Sequence, residues 1–134
     1  MEKKKVYYAH SMHLYNTAQE TRDVVLLQEL GFEVINPNME KYRRDVEMIK
    51  DAHHRAGIGD AGAAIMNYFA GVVNNCDALA FRGYTNGRIP AGVWKEVIAA
   101  REKGVPIIEL PVILSSRELS VEETRAILAY EGQR

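Results

Sequence analysis

The chain has 134 residues, 47% of them hydrophobic, and a formal net charge of −1. That length suits a single domain over 1–134 with apolar content enough for a core, and the balanced charge gives no basic field to draw nucleic acid. No apolar stretch nears the roughly 20 residues that span a bilayer, and Val6–Ala9 is too short for a signal peptide's apolar region; the expectation is a cytoplasmic protein with no membrane partner.

Lys3-Lys4-Lys5 reads as a solvated chain start, and Val6-Tyr7-Tyr8-Ala9, β-branched and aromatic, as the first strand. His10 to Asn16 is a polar loop. Thr17 caps the following helix and Glu20, three residues on, completes a capping box. Val24, Val25, Leu27 and Leu30 give that helix an apolar face, and Gly31 ends it. Phe32–Ile35 is the second strand, closed by Asn36-Pro37-Asn38.

Val46, Met48 and Ile49 suggest a helix from about Glu40 to His54, broken by Gly57, Gly59 and Gly62. Ala64, Ile65, Tyr68, Phe69 and Val72 recur at helical spacing and predict a helix over Ala63–Asn75. The third strand is Ala78–Arg82. The loop Gly83–Arg88 leads into a helix from about Pro90 to Lys103, with proline in its first turn and Gly104 at its end. Val105–Leu110 is the fourth strand, and Ser120 with Glu123 caps a last helix over Val121–Tyr130.

Strands alternate with helices and are too apolar to leave one face in water. This predicts an α/β fold: a doubly wound, mainly parallel sheet of four to five strands with helices on both faces, a Rossmann- or flavodoxin-like three-layer sandwich. Ligands in such sheets lie beyond the carboxyl ends of the strands. Three loops converge there: His10–Asn16, Asn36–Met39 and Arg82–Gly92.

The richest stretch runs from Gly87 to Ala100. Gly92 leaves the backbone bare where a ligand can approach, and Glu96 projects one turn further on. Val93, Val97 and Ala100 mark the buried stripe, which puts Glu96 at its edge. Tyr7 and Tyr8 point to opposite sides of the sheet, so one of them can aim its hydroxyl into the cleft. In the first loop, Ser11, His10 and His13 offer a hydroxyl and two imidazoles for a phosphate or sugar. Arg82 and Arg88 flank the glycine loop that begins at Gly83, and guanidinium matches phosphate oxygens in a bidentate way. Lys41-Tyr42-Arg43-Arg44 borders the cleft or a partner chain. His10, His13, His53 and His54 lack a metal-ligand spacing and no cysteine pair accompanies them, so neither metal nor cofactor is expected. Lone Cys76 borders an apolar strand and reads as core.

Three anchors resemble the nucleoside 2-deoxyribosyltransferase superfamily, including its deoxynucleoside 5′-monophosphate N-glycosidases, over roughly Val6 to Leu110. They are Val6-Tyr7-Tyr8-Ala9-His10-Ser11, then Leu30-Gly31-Phe32-Glu33-Val34-Ile35-Asn36-Pro37, and the block from Asn75-Cys76-Asp77-Ala78 to Gly92-Val93-Trp94-Lys95-Glu96. The resemblance implies Glu96 as nucleophile, Tyr7 as its hydrogen-bond partner and Ser11 as a phosphate contact. It also implies cleavage or transfer of an N-glycosidic bond in a nucleoside or nucleotide, through a glycosyl-enzyme; Arg82, Arg88 and Ser11 would favour a 5′-phosphorylated substrate, hence hydrolysis over transfer. Phe69 stands where the family places a base-handling Asp, and Pro90 where it places a second polar residue. The leaving base must then draw its proton from elsewhere, with Asp60, His13 and Asp45 as candidates. Two rival readings are a lysine-decarboxylase-like phosphoribohydrolase, of whose glycine run only Gly92 survives, and a non-catalytic nucleotide-binding module. Such small enzymes build sites across subunits, so a homo-oligomer is expected, with Tyr42, Tyr68, Phe69 and Trp94 as surface candidates.

Overall fold

A computed structural model of the chain describes residues 2–111, 119–130 and 132. Its elements run β1 (Lys5–Ala9), α1 (Ala18–Glu29), β2 (Glu33–Ile35), α2 (Glu40–Ala56), α3 (Gly62–Asn74), β3 (Ala78–Phe81), α4 (Ala91–Lys103), β4 (Ile107–Glu109) and α5 (Val121–Tyr130). A short 3-10 turn, Met12–Leu14, interrupts the loop after β1.

The four strands form one parallel sheet in the order β2-β1-β3-β4. Val6 pairs with Val34 on one side and Ala78 on the other, and Leu79 pairs with Ile107. The fold is therefore the α/β parallel-sheet architecture that the alternating pattern predicts. β4 begins later than the apolar run because Pro106 has no N–H to add to the ladder; its carbonyl still accepts from Leu79 N at 3.0 Å.

Alternation along β1 and β3 builds two cores. Tyr7, Ala9, Leu79 and Phe81 pack with Val73 and Cys76 and with Val93, Val97 and Ala100 of α4. Val6, Tyr8, Ala78 and Ala80 pack on the other face with Leu27 of α1 and Leu110. Both central strands are thus apolar at successive positions, as burial on two faces requires. A fully buried side chain such as Leu79 is worth about 1.5–3 kcal/mol. The path from β1 to β2 runs one way along the sheet and that from β3 to β4 the other. Crossovers of one hand then put α1 and α4 on opposite faces and make the gap between β1 and β3 the switch point.

Local signals fix the helix ends. Thr17 Oγ1 accepts from Glu20 N at 3.3 Å, but the Glu20 carboxylate takes Asn16 N rather than Thr17 N, because it is also drawn to His10. Gly31 and Gly104 follow α1 and α4 with φ of +96° and +81°, a left-handed turn that side chains resist. Pro90 caps α4 with an extended ψ of 145°, one residue outside the helix. Ser120 and Glu123 form the reciprocal capping box of α5, both bonds at 3.0 Å. Among the described residues no helix is long and apolar enough to cross a membrane. Tyr42, expected at the surface, is buried.

Candidate active site

Because alternation sends Tyr7 to the α3/α4 face, its ring packs near Phe69, with centroids 6.4 Å apart, and its hydroxyl donates a hydrogen bond to Glu96 Oε2. Val93, Val97 and Ala100 are buried against the sheet, and this phase carries the half-buried Glu96 toward the strand instead of solvent. Burial pushes the Glu96 carboxyl up to about 7, against the hydrogen bond from Tyr7, which favours its ionised form. Burial, together with the charge on Glu96, holds the Tyr7 phenol well above its ordinary value, so it remains a donor.

Tyr15 belongs to the same cluster. Burial, then Glu96 and Glu20, push its hydroxyl up to about 12, while Arg43 acts in the opposite direction. The Tyr15 ring lies 5.0 Å, centroid to centroid, from that of His10. The sequence offered only one signal for it, the one phenol of the His10–Asn16 loop. Tyr15 and Phe69 line an open cleft of about 870 Å³, with Met12, Val46 and Ile65 as further apolar wall and Asn38, Arg43, Arg44 and Lys50 among its polar groups. Glu96 itself borders a smaller groove of about 210 Å³ between α3 and α4, with Asn67 and Lys95.

The switch point is differently occupied. Arg82 is 6% exposed and grips Asp23 with two bonds, Nε to Oδ2 at 2.5 Å and Nη2 to Oδ1 at 2.7 Å. Tyr8 donates its hydroxyl to the same carboxylate at 2.5 Å. This corrects the expectation of Arg82 as a free phosphate ligand: a 1% exposed carboxylate neutralises the guanidinium and takes two of its N–H groups. His10 is likewise corrected. Its ring stacks on Tyr8 at 3.7 Å, Nδ1 donates to the Tyr8 carbonyl at 3.0 Å, and Nε2 meets Glu20 at 2.7 Å, so no ring nitrogen is left for substrate. Burial pushes the Glu20 carboxyl up, but hydrogen bonds from His10, Asn16 and Asn38 outweigh it and hold the group below its ordinary value.

Above this network, Ser11 Oγ bonds His13 Nδ1 at 2.8 Å, and the His13 ring lies parallel to Tyr84 at 5.8 Å. His13, Gln19, Gly83 and Tyr84, together with the Asp23-paired Arg82, line a pocket of about 240 Å³ at the end of β3. Gly83 serves the loop itself: an added Cβ would stand 2.8 Å from the Arg88 carbonyl oxygen, which also accepts from Tyr84 N. The Arg88 side chain is exposed. Asn36 is turned inward on its own loop, where Oδ1 accepts from Asn38 N at 2.9 Å. Gly92 has open space where a Cβ would stand, so packing does not require glycine there.

The three candidate proton donors are each engaged. Asp45 accepts from the Tyr68 hydroxyl at 2.5 Å, Asp60 accepts from Gly62 N at 2.8 Å, and His13 is held by Ser11. Cys76 donates to the Val72 carbonyl and burial pushes its thiol up to about 11, which suits a core residue and not a nucleophile. Among the described residues no group of three or more His, Cys, Asp or Glu side chains is placed to hold a metal ion. Compared with models of protein families and with curated proteins, the chain matches none.

Proposed function

We propose that the protein cleaves or transfers the N-glycosidic bond of a nucleoside or nucleoside 5′-monophosphate, with Glu96 as nucleophile, in the manner of the nucleoside 2-deoxyribosyltransferases that its motifs resemble. The observation that carries this reading is the partly buried Tyr7–Glu96 hydrogen bond: a carboxylate oriented by a phenol, with Phe69 beside that phenol and lining an open cleft.

In this mechanism a Glu96 oxygen attacks the anomeric carbon as the carbon–nitrogen bond breaks. The base departs with the bonding electrons and takes up a proton, leaving a glycosyl ester on Glu96. Water, or a second base, then attacks the same carbon and releases the carboxylate. The sugar is cationic in the transition state, so a desolvated carboxylate beside it lowers the barrier. Tyr7 fixes the carboxylate and spreads its charge. Phe69 lies against Tyr7 and offers no proton to the base, which therefore collects it from water or from the substrate-bearing cleft.

The test is incubation of the protein with a panel of nucleosides and 5′-monophosphates, with chromatography for free base. Activity that disappears in Glu96→Gln is expected; full turnover by that variant sinks the nucleophile assignment. One observation favours a second reading. Phe69 and Pro90 leave the site poor in polar side chains, as in a nucleotide-binding module without turnover. Ligand-dependent thermal stabilisation with no base released selects that module. Assembly into a cytoplasmic homo-oligomer is part of the proposal, and Trp94, 41% exposed on α4, is a candidate contact.

A further inference from the structure

We infer that the anionic part of the ligand is read by Arg43 of α2, in the cleft lined by Tyr15 and Phe69, and not by the arginines of the glycine loop. The inference rests on the glycosidase reading for what the anion is attached to: the sugar of a nucleoside 5′-monophosphate.

Four observations converge. First, the guanidinium expected to meet a phosphate at the switch point, Arg82, reaches the pocket at the end of β3 with its charge already neutralised by the buried Asp23. Second, three cations and two carboxylates line the large cleft, and four of these five are neighbours on α2 that pair off. Arg44 Nη2 meets Glu40 at 2.9 Å and Lys50 Nζ meets Glu47 at 3.6 Å. Arg43 makes no salt bridge among the described residues, so the uncompensated positive charge of the cleft is its own. Third, the cleft reaches the reacting group's surroundings, because Tyr15 and Phe69 line it while Phe69 lies against Tyr7 and Tyr15 feels the charges of both Glu96 and Arg43. Fourth, Arg88 lines neither this cleft nor the pocket at the end of β3.

The chemistry fits a phosphate monoester. It carries about −1.5 to −2 charges at neutral pH and presents oxygens that a guanidinium can hold in pairs. The apolar wall of Tyr15, Phe69 and Ile65 supplies a surface on which a base or sugar can lie. The cleft thus offers both a charge and apolar ring surface, and its Phe69 touches the Tyr7 that holds Glu96.

The experiment is equilibrium titration calorimetry on Glu96→Gln protein, so that ligand is not consumed. The probes are the four deoxynucleoside 5′-monophosphates, the matching nucleosides and inorganic phosphate. Monophosphates are expected to bind about ten-fold or more tighter than their nucleosides, the size of one charge-assisted hydrogen-bonded contact. Adding Arg43→Gln should bring that ratio to near one, and Arg43→Lys should restore part of it. Arg43 is exposed, so folding is expected to survive either change. The inference is overturned if the ratio is already near one, if it survives Arg43→Gln, if Arg88→Gln collapses it instead, or if no probe binds. Base release by unmutated protein is read separately. Release with affinities indifferent to phosphate overturns only this inference. An Arg43-dependent preference without any release overturns only the glycosidase reading.

Discussion

Tyr7 and Glu96 stand 89 positions apart in the chain and meet through a single hydrogen bond beneath α4. Neither side chain would sit there alone at low cost. The phenol needs an acceptor when buried, and the carboxylate needs a donor. Their pairing settles both requirements on the edge of the α3/α4 core.

The buried carboxyl makes stability depend on pH. Between its ordinary value of 4.5 and about 7, the folded protein keeps a proton on Glu96 that the unfolded chain has released. Stability contributed at this position therefore falls as pH rises through that window. Glu96→Gln, which never ionises, should match the unmutated protein at pH 4 and exceed it at pH 8, by on the order of 3 kcal/mol. Urea unfolding at the two pH values checks this; equal midpoints at pH 8 would count against a desolvated carboxyl.

If Glu96 is the nucleophile, the ionised form is the active one. Base release per unit of enzyme and substrate should then rise with pH and level off above about 7. In Tyr7→Phe the donor that favours the ionised form is lost, so the midpoint should move upward by about one pH unit. Activity at pH 7 should drop about five-fold, from about half to about one-tenth of the carboxyl ionised, and recover at higher pH. A pH profile that stays in place in Tyr7→Phe would show that the phenol does not govern this carboxyl.

Arg82 and Asp23 form a buried ion pair that also receives Tyr8. Arg82→Met leaves a 1% exposed carboxylate without its cation and should cost about 3–5 kcal/mol. Adding Asp23→Leu removes the stranded charge and should return a large part of that loss. Thermal or urea unfolding of the single and double variants measures the coupling, and additive losses would contradict it.

Gly83, in the loop after β3, and Gly92, in the first turn of α4, should respond oppositely to alanine. Gly83→Ala forces a Cβ to 2.8 Å from a backbone oxygen and should destabilise by about 1–3 kcal/mol. Gly92→Ala meets open space inside a helix and should stabilise by roughly 0.5–1 kcal/mol. A loss of nucleotide affinity in Gly92→Ala, with stability unharmed, would mean that a ligand passes close to that backbone.

The elements were legible because their signals are local. Alternation at Tyr7-Tyr8, the Thr17 and Ser120 caps, and the glycines after α1 and α4 each act within a few residues, and each appears where the sequence puts it. The parallel sheet followed from apolarity at successive strand positions. The edge position of Glu96 followed from helical phase against Val93, Val97 and Ala100.

The partners were not legible, because ionic pairing depends on which distant side chains the crossovers bring together. From sequence, Arg82 and His10 looked like free groups in ligand loops. Only the packing of α1 beneath β1 and β3 delivered Asp23 to one and Glu20 to the other, and a buried charge must take the nearest counter-charge. Among the described residues Arg43 is the cation of the cleft that makes no salt bridge, and Tyr15 lines the same cleft. Short-range patterning thus determined the strands, helices and their faces, whereas long-range electrostatics, settled only when the layers close, decided which polar groups remain free to meet a ligand.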